Sequence, residues 1–389
     1  MKGLKRFSLV LLAVGFALGL ALWPRPGITN SGQASVEWLT AQDVETTAEF
    51  TRAIAPKSLE FPKDLGSHDD YQTEWWYYTG NLETETGREF GYQLTFFRRA
   101  LTPDTAAVEN VSDWRSPQVY FSHFTVSDIA DQAFYPHERF SRASAGLSGA
   151  QAMPYRVWLE NWSAEEIAPG KVRLIAQADD ASLDLVLNET LPPVLQGDRG
   201  YSKKGNEIGN ASYYYSIVQQ QTEGTITVGD QDFDVTGLTW KDHEYSTSIL
   251  SPGTVGWDWF SLQFDDGSAL MLYELRQEDG GINDASSGTY ISSTGKTQAI
   301  SYKDRTIDIQ KTWHSPISGA DYPSQWHIEI PKLNLTLDGK ALMANQELNV
   351  STTYWEGAVS FTGTVAAKPV SAKGYVEMSG YADRLDTVL

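Results

Sequence analysis

The chain has 389 residues, a formal net charge of −20 and no cysteine. Without cysteine it cannot form disulfides, use a thiol nucleophile or bind a metal through thiolates. The strong negative charge repels phosphate backbones and argues against nucleic acid as a partner, while the length suits two domains.

The chain begins with a basic and then apolar segment. Lys2, Lys5 and Arg6 precede residues 7–23, which are uncharged and mostly apolar. This order is typical of a secretory signal, and the run also falls just short of the roughly 20 residues that span a bilayer. We therefore expect residues 1–23 to be either a cleaved signal or a membrane anchor. Both alternatives predict an exported protein, periplasmic or extracellular, which the anchor would attach to the membrane.

Beyond a polar segment at residues 24–58, short runs that alternate apolar and polar residues dominate the chain. They include residues 90–98, 119–126 and 269–275, and glycine turns separate many of them. Strict alternation is the pattern of a half-buried strand, and no long amphipathic helix interrupts the series. Short strands without helical crossovers predict an antiparallel, all-β architecture.

The two halves of the chain carry similar landmarks in the same order. A Glu-Trp-Trp run at 74–76 opens the first half and a Trp-Asp-Trp run at 257–259 opens the second, and each precedes a glycine turn and a further strand. A duplicated domain explains this order, so we expect two tandem antiparallel β-barrels, at residues 59–245 and 246–386. A closed barrel has no unpaired edge and can hold an apolar ligand. Trp75 or Trp76 also fits a structural role, in which a tryptophan closes one end of the first barrel.

Positions where the two halves differ in polarity are candidates for chemistry. Glu274 is one of them, and by the period of two it shares a strand face with Leu270 and Leu272. Apolar surroundings would raise the pKa of its carboxyl group, which suits a general acid. The alternative is an outward-facing Glu274 that pairs with Arg276.

Two histidine positions form the remaining candidates. In an extended chain His243 would point away from Asp242 and Glu244, and a histidine–carboxylate pair suits acid–base catalysis. A hydrogen-bonded plug at the place where the two barrels meet would fit the same residues equally well. His123 shares a strand face with Phe121, where it would be either a functional or a buried structural histidine.

Metal and cofactor motifs are absent from the sequence. The six histidines show no spacing typical of a metal site, and there is no glycine-rich phosphate loop and no Gly-x-Ser-x-Gly elbow. We therefore expect neither a metal nor a cofactor.

Several blocks together resemble the AttH/CrtC-like family of lipocalin-like proteins. The resemblance spans about residues 61–381 and is carried by EWWYYTG at 74–80, WKDHE at 240–244, GWDWF at 256–260, LMLY at 270–273, YWEGAV at 354–359 and GYVEMSGY at 374–381. It implies two lipocalin-like barrels with a cleft between them. It also implies relatives of differing activity, among them carotenoid hydratases, which add water across a terminal double bond, and fungal cyclases.

In the hydratases of this family, function is attributed to a histidine near an aromatic residue and to a tyrosine with a neighbouring acid. The matching positions imply roles for His243 with Tyr245 and for Tyr273 with Glu274, although the hydratases are expected to carry Trp and Asp at the second position of each pair. Asp242, beside His243, completes the predicted catalytic set. The predicted substrate-binding residues are Glu74, Trp75, Trp76, His123, Tyr245, Trp257, Asp258, Trp259 and Trp355.

Two functions fit this pattern best. The first is hydrolysis or hydration of a long apolar, lipid-like or isoprenoid-like substrate between the barrels, by carboxylate and histidine acid–base chemistry. The second is a non-catalytic lipid-binding role in the cell envelope beside an ABC transporter, because some members of the family are encoded next to such permeases. A filled barrel pair with a protein-binding surface is the third alternative.

Overall fold

The chain folds almost entirely into strands. The structure, a computed structural model, describes residues 50–103, 116–247 and 250–385. The predicted signal or anchor at 1–23, and residues 24–49 of the polar segment, lie outside the described residues. Within the described part, no helix has both the length and the apolar character needed to cross a bilayer.

Two sheets follow one another along the chain. The strands of the first sheet are β1 (Thr73–Glu83), β2 (Glu89–Ala100), β3 (Gln118–Asp128), β4 (Ala133–Arg142), β5 (Ser148–Ala152), β6 (Tyr155–Leu159), β7 (Trp162–Ala168), β8 (Lys171–Gln177), β9 (Ala181–Glu189), β10 (Val194–Leu195), β11 (Tyr201–Lys203), β12 (Ala211–Val228) and β13 (Gln231–Ser246). Those of the second are β14 (Thr254–Phe264), β15 (Ala269–Gln277), β16 (Ser287–Ile291), β17 (Thr297–Ser301), β18 (Thr306–His314), β19 (Asp321–Ile330), β20 (Leu335–Ala341), β21 (Glu347–Asn349), β22 (Thr353–Val365) and β23 (Lys368–Ser379). Short 3₁₀ helices lie at Lys63–Leu65, Tyr302–Asp304 and Pro331–Leu333.

Each sheet curls around a core of its own. The first runs in the order β4-β3-β2-β1-β13-β12-β9-β8-β7-β6-β5 and the second in the order β17-β16-β15-β14-β23-β22-β20-β19-β18. Phe124 of β3 and Trp162 of β7 are far apart in this order, yet their ring centroids are 5.6 Å apart. Antiparallel pairing of strands that follow each other needs only short turns. The predicted all-β architecture of two antiparallel, barrel-like sheets is confirmed.

Alternation gives the central strands two buried faces. In β1, Trp76 and Tyr78 point into the first barrel, whereas Tyr77 points into a separate apolar cluster between the barrels. In β15, Leu272 points into the second barrel and Tyr273 into that same cluster. We call this layer the seam; it is formed by the outer faces of β1, β2, β12 and β13 against those of β14, β15, β22 and β23. Within the seam, both faces of these strands are therefore removed from water.

A glycine sets how closely the two barrels approach. Gly91 of β2 lies against β22 and β23 of the second barrel, and a Cβ atom there would lie 2.7 Å from the Tyr375 hydroxyl oxygen and 2.8 Å from the Ala358 Cβ. Both distances are shorter than van der Waals contact, so the backbone of β2 itself forms part of the seam. Nearby, the Asn81 side chain donates a hydrogen bond to the Gly374 carbonyl across the seam at 3.0 Å.

We expect Gly91→Val to reduce the free energy of unfolding by about 1–3 kcal/mol, because the added side chain overpacks the seam. Valine suits a strand, so the loss would come from packing and not from backbone propensity. The measurement is urea denaturation, with Gly281→Val in an exposed turn as the control. Equal unfolding midpoints for the two variants would contradict this role of Gly91.

Candidate functional site

A cavity of about 200 Å³ lies in the seam, and we call it the cleft. Aromatic side chains from both barrels contribute to its wall. From the first barrel these are Trp75, Tyr77, Phe97, His123 and Tyr214, and from the second they are Trp257, Trp259, Tyr273 and Tyr354. A cavity of this composition suits an apolar ligand with few polar groups.

A carboxyl group on the second barrel faces the cleft. Glu377 of β23 accepts hydrogen bonds from Trp257 Nε1 at 2.6 Å and from Ser379 Oγ at 3.1 Å, and both fall on Oε1. Burial raises the pKa of the Glu377 carboxyl to about 7, because the charged form loses its hydration. Near neutral pH this side chain can therefore carry a proton on Oε2 and donate it.

A second carboxyl group lies on the first barrel. Asp242 Oδ1 accepts hydrogen bonds from Ser216 Oγ at 2.5 Å and Trp240 Nε1 at 2.7 Å, and Oδ2 accepts one from the Tyr214 hydroxyl at 2.6 Å. Burial raises the pKa of Asp242 to about 7, although the three donors favour the ionised form. Trp259 Nε1 of the second barrel donates to the Tyr214 hydroxyl oxygen at 3.2 Å. A chain of polar groups therefore links Asp242 to the opposite wall of the cleft.

Two further polar pairs border the cleft. Lys204 Nζ lies 2.8 Å from Glu244 Oε1 and 4.6 Å from the centroid of the Tyr273 ring. Burial lowers the pKa of Lys204, but the attraction of Glu244 outweighs this, so the pKa is raised and the ammonium group stays charged. On the other side, His123 Nδ1 lies 2.7 Å from the Tyr354 hydroxyl and joins the two barrels.

A hydrogen-bonded network of charged groups lies behind the cleft, at one end of the first barrel. Glu74 Oε1 accepts hydrogen bonds from His68 Nδ1 at 2.7 Å and His243 Nε2 at 2.8 Å, and Arg98 Nε donates to Oε2 at 2.9 Å. Burial lowers the pKa of His243 to about 4, so its ring is neutral and its Nδ1 accepts a hydrogen bond from the Tyr215 hydroxyl at 2.7 Å. Burial opposes ionisation of Glu74, yet the charges of His68 and Arg98 outweigh it and hold the Glu74 pKa well below its usual value.

His68, Glu74 and His243 are also the described residues whose arrangement comes nearest to a metal site. Their ligand atoms all lie within 4.8 Å of one another. However, the Arg98 guanidinium donates a hydrogen bond to Glu74 Oε2, and each imidazole nitrogen already has a hydrogen-bonding partner. A bound cation would have to displace these hydrogen bonds and tolerate the charge of Arg98. The geometry favours a hydrogen-bonded network, and the expected absence of a metal stays a prediction.

The structure divides the four residues with predicted catalytic roles. Asp242 and Tyr273 line the cleft, whereas His243 points into the first barrel and Glu274 into the second. Burial raises the pKa of Glu274 to about 7, and Arg305 Nη2 lies 3.6 Å from its Oε1. The four side chains therefore do not form a single catalytic site.

The predicted substrate-binding residues divide in the same way. Those that line the cleft are Glu74, Trp75, His123, Trp257 and Trp259, with the Glu74 carboxylate held in the network behind it. The other four lie elsewhere in the barrels. Trp76 contacts His243, Tyr245 stacks on His68, Asp258 pairs with Arg276, and Trp355 donates to the Ala344 carbonyl.

Sequence reasoning did not single out Glu377, Tyr214 or Lys204. Glu377 lies in the GYVEMSGY block at 374–381, which carries no histidine, unlike the WKDHE block at 240–244. One signal was present: Glu377 alternates with Tyr375 and Ser379, while Val376 and Met378 take the other face. An acid on the aromatic face of an otherwise apolar strand has little access to water.

We expect Arg98→Met to reduce the free energy of unfolding by about 3–5 kcal/mol, because it leaves the ionised Glu74 buried without one of its two cationic partners. Arg98 is itself completely buried, whereas Arg199 is exposed, so Arg199→Met is the matched control. Urea denaturation measures both. A loss below about 1 kcal/mol for Arg98→Met would show that Glu74 does not depend on this charge.

The raised pKa of Glu377 predicts a pH dependence. The folded protein keeps a proton on Glu377 up to a pKa of about 7, whereas the unfolded chain releases it near 4.5, so the stability from this group is lost as pH rises between these values. Glutamine does not titrate, so the wild type should lose about 2–3 kcal/mol relative to Glu377→Gln over this range. Urea unfolding at several pH values measures the difference. Parallel profiles, like those expected for the exposed Glu85→Gln, would contradict the shift.

Comparison with known proteins identifies the family that shares this architecture. A family model described as AttH-like matches residues 52–381. The crystal structure of a candidate AttH protein from Nitrosomonas europaea is 32% identical in sequence, with a TM-score of 0.74 over 85% of this chain and 100% of that chain. The structure of kievitone hydratase from Nectria haematococca has the same fold, with a TM-score of 0.65 at 14% identity over 86% of this chain and 98% of that one.

Two curated relatives match in sequence. Dehydratase asqC of Emericella nidulans is 24% identical over 228 residues, and kievitone hydratase of Fusarium solani is 22% identical over 229 residues. These matches cover 56% and 57% of this chain, and 58% and 62% of the relatives, so the chain spans about three fifths of their length. The family model covers nearly all of the described residues, and the chain belongs to the AttH-like family, whose lipocalin-like fold it shares.

Proposed function

We propose that this protein is a hydratase that adds water across a carbon–carbon double bond of a long apolar substrate, or removes it in the reverse direction. The observation that carries this proposal is the Glu377 carboxyl group, which has a pKa of about 7 and faces an aromatic cleft. The names of the two curated relatives, a dehydratase and a hydratase, support hydration over hydrolysis.

In the hydration direction, Glu377 transfers its proton to one carbon of the double bond. Positive charge then develops on the other carbon, and the faces of the Trp257 and Trp259 rings can stabilise it. Water attacks this carbon and gives a proton to Asp242, whose position is fixed by Tyr214. The product gains one hydrogen and one hydroxyl group, Glu377 ends ionised and Asp242 ends protonated. Proton exchange with solvent restores both side chains.

The two carboxyl groups can share these roles because their environments differ. Asp242 receives three hydrogen bonds that favour its ionised form, whereas both hydrogen bonds to Glu377 fall on one oxygen and leave the other for a proton. Near neutral pH each group is close to its pKa of about 7, so an acid and a base can coexist in the cleft. Proton transfer from a positioned acid contributes about 10²–10⁴-fold to a rate.

The proposal also covers the location and the partners of the protein. The basic and apolar segment at residues 1–23 supports export, to the periplasm or the cell exterior, with or without an anchor. An apolar substrate is the proposed partner. The alternative is an envelope lipid-binding protein that works with an ABC transporter permease and leaves its ligand unchanged.

We expect Glu377→Gln to lower kcat for hydration by about 10²–10⁴-fold while the affinity for the substrate changes little, because glutamine keeps the shape but cannot donate the proton. Incorporation of ¹⁸O from labelled water into isoprenoid alkenes, followed by mass spectrometry, measures the reaction. Glu274→Gln is the matched variant, since Glu274 also has a pKa near 7 but points into the second barrel.

The two variants separate the proposals. Loss of turnover in Glu274→Gln with normal turnover in Glu377→Gln would assign the acid to Glu274 and refute the cleft mechanism. An isoprenoid that binds tightly to the wild type but is recovered without labelled oxygen would favour the lipid-binding alternative.

A further inference from the structure

A second carboxyl group lies beside the candidate acid. Glu356 of β22 and Glu377 of β23 are directly paired in the antiparallel register of these two strands. Side chains of directly paired residues lie on the same face of a sheet, with their Cβ atoms about 4.5–5.5 Å apart. Glu377 lines the cleft, whereas Glu356 is completely buried and lies outside the cleft wall. The two carboxyl groups are therefore neighbours on the face that the second barrel turns to the seam.

The hydrogen bonds of Glu356 leave room for a proton on one of its oxygens. Oε1 accepts a hydrogen bond from the Tyr77 hydroxyl of β1 at 2.6 Å, whereas Oε2 is buried and receives no hydrogen bond from any described residue. A carboxylate buried with a single donor would lose most of its hydration without replacement. A protonated carboxyl group is neutral and carries an O–H donor of its own, so this setting fits the protonated form.

The groups around Glu356 also favour its proton. Among the described residues, the titratable groups that act on it are the carboxyl group of Glu377 and the phenols of Tyr77, Tyr354 and Tyr375. Burial raises the pKa of the Glu356 carboxyl well above its usual value, the charge of Glu377 raises it further, and the hydrogen bond from Tyr77 only partly offsets them. Beside Glu377, the negative charge of Glu244 is paired with Lys204. Glu356 therefore keeps its proton at a pH at which Glu377 ionises.

We propose that Glu356 is a positioning residue for the hydration step, whose carboxyl group donates a hydrogen bond to Glu377 once Glu377 has given its proton to the substrate. This inference rests on the proposed function and deepens it. In the step, the Glu377 O–H bond breaks, and the electron pair of the double bond forms the new C–H bond with that proton. The Glu356 O–H group then stabilises the negative charge left on Glu377. The pair starts with two protons, ends the step with one and regains the second from solvent.

This partner would set the strength of the acid. Burial disfavours the ionised form of Glu377, whereas each donor to that form lowers the pKa of the carboxyl group. Trp257 and Ser379 supply two donors, and Glu356 would supply a third. Its hydrogen bond strengthens as charge develops on Glu377, and an interaction that strengthens in the transition state raises kcat.

Infrared spectroscopy of the full chain tests the pair without a substrate, because a protonated carboxyl group has a C=O stretching band of its own. The difference between the wild type and Glu356→Gln isolates the band of Glu356. We expect this band to persist above the Glu377 pKa of about 7. It should also move to lower wavenumber as Glu377 ionises, since a hydrogen bond donated to a carboxylate is stronger than one donated to a neutral acid.

Glu377→Gln is the diagnostic background for this titration, and both glutamine substitutions keep the shape of the side chain. In that background the Glu356 band should stay at one wavenumber throughout. Glu274→Gln is the matched control, because Glu274 also has a pKa of about 7 but points into the second barrel. It should leave the movement of the Glu356 band as in the wild type.

A kinetic test separates positioning from a structural role. Glu356→Met removes the donor, so Glu377 becomes a weaker acid. We expect kcat for hydration of isoprenoid alkenes to fall about tenfold and the alkaline limb of its pH profile to move upward by about one to two pH units. Glu356→Gln keeps an N–H donor and should restore both towards the wild type. Gln219→Met, at a buried position of β12 that donates to the Ser268 carbonyl, is the control and should keep the wild-type profile.

The outcomes are distinct. A Glu356 band that is lost above the Glu377 pKa, or that does not respond to Glu377, refutes the pair while the proposed function stands. A downward shift of the alkaline limb in Glu356→Met would mean that Glu356 acts through a negative charge, and would overturn its role as a donor. If the wild type hydrates no alkene, the proposed function fails and the positioning role fails with it, whatever the infrared result. A band that follows Glu377, with an upward shift in Glu356→Met that Glu356→Gln reverses, supports the inference.

Discussion

The structure depends on one constraint, which is that the strands have no face in water where they cross the seam. One face of each strand packs into its own barrel and the other packs against the second barrel, as Tyr77 and Tyr78 of β1 show. A titratable group on such a stretch must be paired or must carry a shifted pKa. Glu74 is paired, with His68, His243 and Arg98. Glu377 keeps a proton instead, and that difference separates a structural carboxylate from a candidate acid.

The architecture followed from the sequence because its signals are local. A strand with one buried face alternates within a few residues, and short glycine turns pair it with the next strand. The repeated landmarks at 74–76 and 257–259 then indicated two units of the same kind. For Glu274, the period of two assigned it correctly to the face of Leu270 and Leu272.

The site could not be assembled in the same way. Which strand face borders the cleft depends on how the two barrels pack together. This packing involves pairs that are distant in sequence, such as Trp257 with Glu377, 120 residues apart, and Trp259 with Tyr214, 45 residues apart. Alternation showed that Asp242 and His243 point in opposite directions, but it gave no sign of which of them faces the cleft. For the same reason Glu377 drew no attention, since its setting is defined by the facing barrel and not by its neighbours in sequence.

Gly91 has a consequence for the packing of the two barrels. Because its backbone, and not a side chain, meets Tyr375 and Ala358, the distance between the barrels is already at its lower limit there. A larger residue at this position would push the two barrels apart at this edge of the interface, although Gly91 lies outside the wall of the cleft. A change at this single strand position would therefore alter how the barrels pack while every residue that lines the cleft stays the same.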